Sequence, residues 1–108
     1  MIKIEFHPEA EQELSEAKSW YRARSKLAAR AFATDIADSI RSIAATPKRW
    51  PEHRPGERLF VLSRFPFSIL YRVRADLVFI TAVAHQKRRP GYWQDRKLDS
   101  HRPINPSK

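Results

Sequence analysis

Phe67-Ser68-Ile69-Leu70-Tyr71-Arg72-Val73-Arg74, then Ala75-Asp76, then Leu77-Val78-Phe79-Ile80-Thr81-Ala82-Val83-Ala84 is the stretch that decides the fold. In its first part Phe67, Ile69, Tyr71 and Val73 alternate with Ser68, Leu70, Arg72 and Arg74, which is the period of a strand with one apolar and one partly cationic face. The last part is apolar on both sides and reads as the central strand of a sheet. Ala75-Asp76 is short enough to join the two as a tight turn, although it lacks the glycine of the strongest hairpin signals.

Working upstream, Glu57 to Ser63 is a further strand-like run. Residues 47–56, Pro-Lys-Arg-Trp-Pro-Glu-His-Arg-Pro-Gly, carry three prolines and a glycine and read as a loop anchored by Trp50. From Leu27 to Ala45, Phe32, Ile36, Ile40 and Ile43 recur at helical spacing, and Thr46-Pro47 closes that pattern. A first helix begins near Pro8 and runs to about residue 24, with Ala10, Leu14, Ala17 and Tyr21 on one face and Trp20 beside them. Only a few residues around Ser25 separate the two helices, so they form an antiparallel hairpin. Ile2, Ile4 and Phe6 alternate with charged residues as an N-terminal strand. Glu9, Glu13 and Glu16 share a helical face near a helix N-terminus, where solvated carboxylates suit the positive end of the dipole.

The order strand, helix, helix, three strands predicts an α+β domain in which the helical hairpin packs on one face of a mostly antiparallel four-stranded sheet. The other face is expected to be concave, bordered by the long loop and the C-terminal segment. At 108 residues the chain encloses one modest core, so residues 1–99 read as a single domain and residues 100–108 as a flexible tail. There is no cysteine, signal peptide or apolar run of membrane-spanning length, which points to a reducing cytoplasm and away from disulfides, thiolate metal sites and the membrane.

Charge is unevenly placed. Residues 1–45 hold seven basic and seven acidic side chains, whereas residues 46–108 hold 14 and 5, so the whole net charge of +9 lies in the second part. Such an excess suits an anionic partner, either nucleic acid or an acidic protein. It culminates in His85-Gln86-Lys87-Arg88-Arg89-Pro90-Gly91-Tyr92-Trp93, directly after the last strand. There Lys87, Arg88 and Arg89 can bind phosphates or carboxylates, and Tyr92 and Trp93 can stack on a base or fill a protein pocket. The four histidines, His7, His53, His85 and His101, have no ligand spacing, so no metal or other cofactor is expected. No GxSxG elbow marks a serine hydrolase, and no helix-turn-helix, RRM or zinc-finger motif supports a free-standing nucleic-acid-binding module, which remains an alternative on charge alone.

The order of elements, the strand pair ending in Leu70-Tyr71-Arg72-Val73, and Phe79-Ile80-Thr81-Ala82-Val83-Ala84 running into His85 to Trp93 together resemble the RelE/ParE superfamily of bacterial type II toxins. The resemblance spans roughly residues 2 to 96 and is strongest from Arg54 onward. It implies a toxin of a plasmid stabilisation module, paired with an antitoxin whose acidic segment neutralises it and through which alone operator DNA is bound. Two activities fall within it. A RelE-like, ribosome-dependent and metal-free mRNA endoribonuclease would use His85 to exchange a proton, Arg88 to stabilise charge and Tyr92 to stack or donate. RelE-type nucleases carry an arginine where this chain has Ser68, and Arg72, on the same strand face, lies about 13 Å further along. Lys48 is the sole lysine between the second helix and the sheet. Arg54-Pro55-Gly56-Glu57-Arg58-Leu59-Phe60 with Phe67 to Val73 looks more like the ParE branch, which inhibits DNA gyrase by binding. In that reading Arg54, Arg58, Arg72, Lys87, Arg88, Arg89, Tyr92 and Trp93 are target contacts.

Overall fold

The computed structural model describes residues 2–96. The N-terminal strand β1 (Lys3–Phe6) leads through His7 into α1 (Pro8–Arg24), and α2 (Lys26–Ala45) follows after one residue. Proline at the first helical position and the His7 side chain, which accepts from the Glu9 amide at 3.0 Å, start α1. Ser25 serves both helices: its N–H donates to the Tyr21 carbonyl at 2.8 Å, and its Oγ accepts from the Ala28 amide at 3.1 Å. A single capping residue therefore turns the chain back, which is why the helical hairpin is so tight.

The sheet is built from β1, β2 (Glu52–Arg54), β3 (Glu57–Val61), β4 (Phe67–Arg74) and β5 (Leu77–His85), in the order β1-β5-β4-β3-β2. It has five strands where the sequence reading expected four, because part of the proline-rich loop pairs with β3 as a three-residue edge strand. An edge tolerates proline neighbours that a central strand would reject. β5 is interior, parallel to β1 and antiparallel to β4, while β4 occupies the middle of the sheet. Ala75 makes the β4–β5 turn without glycine by adopting φ 52°. The tail proposed for residues 100–108 and the last residues of the domain lie outside the described residues.

The main core lies between the hairpin and one sheet face. Ala10, Ala17, Phe32, Ile36 and Ile43 pack against Phe67, Ile69, Tyr71, Val78, Ile80 and Val83. Full burial of each large side chain contributes about 1.5–3 kcal/mol, which makes this layer the main source of stability. The β4–β5 register slips at Leu70/Tyr71, which face Ala82 and Ile80 respectively. The bulge puts Thr81 out of the alternation. Val78, Ile80 and Val83 can thus all join the helical side, while Ala82 and Ala84 turn to the opposite face with Leu70. Among the described residues no helix is long and apolar enough to cross a membrane.

Candidate functional site

β1 ends at Phe6, and the last backbone bond on that side of β5 runs from the His7 amide to the Ile80 carbonyl at 2.9 Å. β5 continues for five residues beyond Ile80. Its outward backbone groups are met by side chains: the Val83 amide donates to Glu13 Oε1 at 2.9 Å, and the Thr81 carbonyl accepts from Arg96 Nη1 at 3.2 Å. Glu13 therefore does not sit on a solvated helical face as its sequence neighbourhood suggested. Its two oxygens also accept from Arg96 Nη1 and Nη2, each at 3.0 Å, and Oε2 accepts from the Tyr92 hydroxyl at 2.7 Å. The Glu13 and Arg96 side chains are 12% and 10% exposed. Breaking a nearly buried pair of this kind by removing one partner costs about 3–5 kcal/mol. Glu9, more exposed, adds a second carboxylate to Arg96 at 3.1 Å.

These contacts set the state of the groups involved. Burial and the hydrogen bond to Glu13 push the Tyr92 phenol well above its ordinary pKa, so the hydroxyl stays protonated and donating. For Arg96, burial favours loss of charge, but the hydrogen bonds and charge of Glu13, with help from Glu9 and Tyr92, more than offset it.

Beyond β5, the chain from Gln86 to Arg96 holds itself in turns: Arg88 N to the His85 carbonyl at 2.9 Å, Gln94 N to Gly91 at 3.0 Å, and Arg96 N to Trp93 at 2.9 Å. Gly91 takes φ 83°, a left-handed conformation that strains any residue with a Cβ, and the flexible ends of Arg54 and Gln94 lie close beside it. The segment straddles the sheet. Tyr92 extends its hydroxyl to Glu13 on the helical side while its ring packs beside Trp93, which is buried on the opposite face with Leu70, Ala82 and Ala84. Trp93 Nε1 donates to Glu57 Oε2 at 2.6 Å, and Glu57, 1% exposed, is also approached by Arg72 at 3.5 Å.

The residues expected to act together are thus divided. On the helical side, a groove of about 390 Å³ is lined by Glu13, Trp20, Phe67, His85, Arg88 and Tyr92 among others. Trp20 is half exposed, with the Arg24 guanidinium 3.8 Å over its ring. Arg88 stacks over Tyr92 at 3.8 Å. The His85 ring meets Phe67 edge-on at 5.0 Å, and its Nδ1 accepts from the Lys87 amide at 3.0 Å. Lys87 and Arg89 are exposed on the same arm.

The remaining expected contacts lie elsewhere. Arg58 is largely structural, donating to the Lys48 and Trp50 carbonyls at 3.1 and 2.6 Å and pairing with Glu52. Arg54 lies beside the arm, donating to the Gln94 side-chain oxygen at 2.6 Å when that amide is turned to present it. Arg72 is half exposed above Glu57. Trp93, expected at a target, is instead buried and tethers the arm, covering the opposite sheet face over Leu70, Ala82 and Ala84, while Val61 on that face stays exposed. Sequence reasoning missed Glu57, Glu13 and Arg96 as partners of the arm. No local pattern links positions 13 and 57 to positions 92–96; only the packing does.

Chemically, the groove offers a cation and an imidazole beside carboxylates. His85 and Arg88 line the groove together with Glu13 and Glu16, and the Tyr92 hydroxyl is committed to Glu13. Among the described residues no three His, Asp or Glu side chains are grouped to hold a metal ion.

The sequence matches, over residues 4–90, the family described as the ParE toxin of the type II toxin–antitoxin system, parDE. No curated protein matches it. In fold the chain is similar to the solved structure titled "Chromosomal ParDE TA system from P. aeruginosa", with a TM-score of 0.68 and 21% identity, covering 79% of this chain and 96% of that one. With a family match across most of its length and a fold to agree with it, this chain belongs to the ParE toxin family of type II toxin–antitoxin systems.

Proposed function

We propose that this toxin arrests growth in the cytoplasm by gripping a protein target, DNA gyrase, through its basic C-terminal arm, rather than by cutting RNA. A cognate antitoxin with an acidic segment neutralises it, and operator DNA is reached only through that antitoxin. Arg88, Arg89 and Lys87 supply exposed cations on the arm, and the flanking groove with Trp20 supplies apolar area for a protein partner.

The observation that carries the choice is the carboxylate content of the groove. Glu13 and Glu16 stand on the wall facing His85 and Arg88. An RNA phosphate would meet the Glu16 carboxylate, the Glu13 charge being met by Arg96, and the Tyr92 phenol, bound to Glu13 with its pKa raised, is a poor acid. Ser68, paired with Ala84, leaves no cation at the strand position where the nuclease branch has one. Binding requires no acid–base pair, so these features do not count against it.

Purified protein added separately to a gyrase supercoiling assay and to a translating-ribosome mRNA cleavage assay tests the reading. Gyrase inhibition with intact message is the expected result; cleavage confined to ribosome-bound message would overturn it. His85→Ala sharpens the comparison, because losing a general base lowers a cleavage rate by about 100-fold or more, whereas losing one contact weakens binding modestly.

A further inference from the structure

We infer that Glu13, on α1, is a positioning residue for the basic arm: its carboxylate clasps Tyr92 and Arg96 and so holds Lys87, Arg88 and Arg89 in the orientation that meets a partner. That the arm meets a target rests on the function proposed above; that Glu13 holds the arm does not.

Among the described residues the arm forms no ladder of backbone bonds to the sheet. Its described backbone bonds are turns within itself, apart from Gln86 N to the Pro66 carbonyl at 2.8 Å at its root. Its far end is attached by side chains. Trp93 is tied to Glu57 on the sheet face away from the helices, Arg54 stands beside Gln94, and Arg96 also reaches Glu9 and the Thr81 carbonyl. The attachment that gathers the most contacts is Glu13, which accepts the Val83 amide, the Tyr92 hydroxyl and both terminal nitrogens of Arg96. A single carboxylate thereby ties α1, the outer edge of β5 and the arm together. The bidentate Arg96 contact fixes direction as well as distance, because the planar guanidinium matches the carboxylate only in one orientation.

The link to the exposed cations is direct. Tyr92, held through its hydroxyl, presents its ring to the Arg88 guanidinium at 3.8 Å and to that of Arg96 at 5.2 Å. Release of the phenol leaves the ring held by its packing on Trp93 and the Leu70 cluster, and so loosens the platform under Arg88. Such preorganisation lowers the ordering cost of binding, so a loosened arm carries the same charges and binds less well.

Limited digestion of the full chain with trypsin reads the clasp without any target, since Lys87 and Arg88 are exposed cutting sites, while the Arg89–Pro90 bond resists the protease. In Glu13→Ala, cleavage at Lys87 and Arg88 should be roughly ten- to a hundredfold faster under conditions where the protein remains folded. Hydrogen exchange should rise in residues 86–96 while amides of β4 and the first half of β5 stay protected. Glu13→Gln, which keeps one acceptor oxygen for the Val83 amide but loses the second and the charge opposite Arg96, should fall between wild type and Glu13→Ala. Arg96→Met, which gives up Glu9 and the Thr81 carbonyl as well as Glu13 but leaves the phenol on Glu13, should also loosen the arm, and the double variant should cost less than the sum of the two. Inhibition of gyrase should fall in the same order. Should Glu13→Ala fail to fold, Arg96→Met and Tyr92→Phe carry the same measurement. Wild-type cleavage and exchange in folded Glu13 variants would overturn the clasp whatever the target. A loosened arm in Glu13→Ala, with wild-type protein inactive on gyrase, would sustain the clasp and sink the gyrase reading instead.

Discussion

Trp93→Phe separates the two roles open to this tryptophan. Phenylalanine keeps an aromatic ring among Leu70, Ala82 and Ala84 but removes the indole N–H that lies 2.6 Å from Glu57 Oε2. Glu57 is 1% exposed, and its other ionic contact, Arg72, is 3.5 Å away, so the carboxylate loses its shortest donor where water has little access. A hydrogen bond to a charged group contributes about 1.5–3 kcal/mol. The smaller ring gives up about 1 kcal/mol more of buried apolar area. The expected loss is therefore about 3 kcal/mol, or a drop of about 1.5 M in urea midpoint at a slope of ~2 kcal/mol/M. Urea titrations followed by far-UV circular dichroism measure it, and Glu57→Gln with the double variant gives the coupling between the two side chains. A loss below about 0.5 kcal/mol, the range of surface substitutions, would refute the argument. Target binding abolished at unchanged stability would return Trp93 to the contact surface that the sequence suggested.

Three further outcomes are expected. Ala75→Gly should stabilise the protein by about 0.5 kcal/mol, since relief of ~1–2 kcal/mol of left-handed strain at φ 52° exceeds the entropy cost of the new glycine, and melting temperature at constant pH checks it. Because burial and Glu13 raise the Tyr92 pKa in the folded state, the favoured form is the neutral phenol. Its stabilisation is complete below the unfolded-state value of about 10 and is lost as pH rises from there through the folded value. Urea stability should consequently fall less steeply above that point in Tyr92→Phe than in wild type; identical slopes would count against the Tyr92–Glu13 bond. Arg88→Ala combined with Arg89→Ala should relieve growth arrest on expression without antitoxin while leaving the melting temperature within about 2 °C, because both side chains are exposed. Undiminished arrest would show that these cations are not contacts.

Much of the architecture was legible because it is periodic and local. Phe32, Ile36, Ile40 and Ile43 declare α2 by spacing alone, and Pro8 marks the first position of α1. The alternation from Phe67 to Val73 and the apolar run after Asp76 declare β4 and β5. The fifth strand was hidden by its prolines: three residues without alternation pair with β3 only because the Pro55-Gly56 turn brings them beside it. The parallel pairing of β1 with β5 joins residues more than 70 positions apart and has no local signature.

The site divides along the same line. By itself the sequence determined that positive charge collects after β5 and that aromatic residues follow it, because composition and order are properties of the chain. Only the tertiary structure decided what those residues do. It turned Tyr92 toward Glu13 and Trp93 toward Glu57, left Lys87, Arg88 and Arg89 exposed between the root and the anchored end of the arm, and drew Arg58 into loop carbonyls. The physical reason is that a buried carboxylate must find donors, and the nearest ones here arrive from 36 to 83 residues away in the chain.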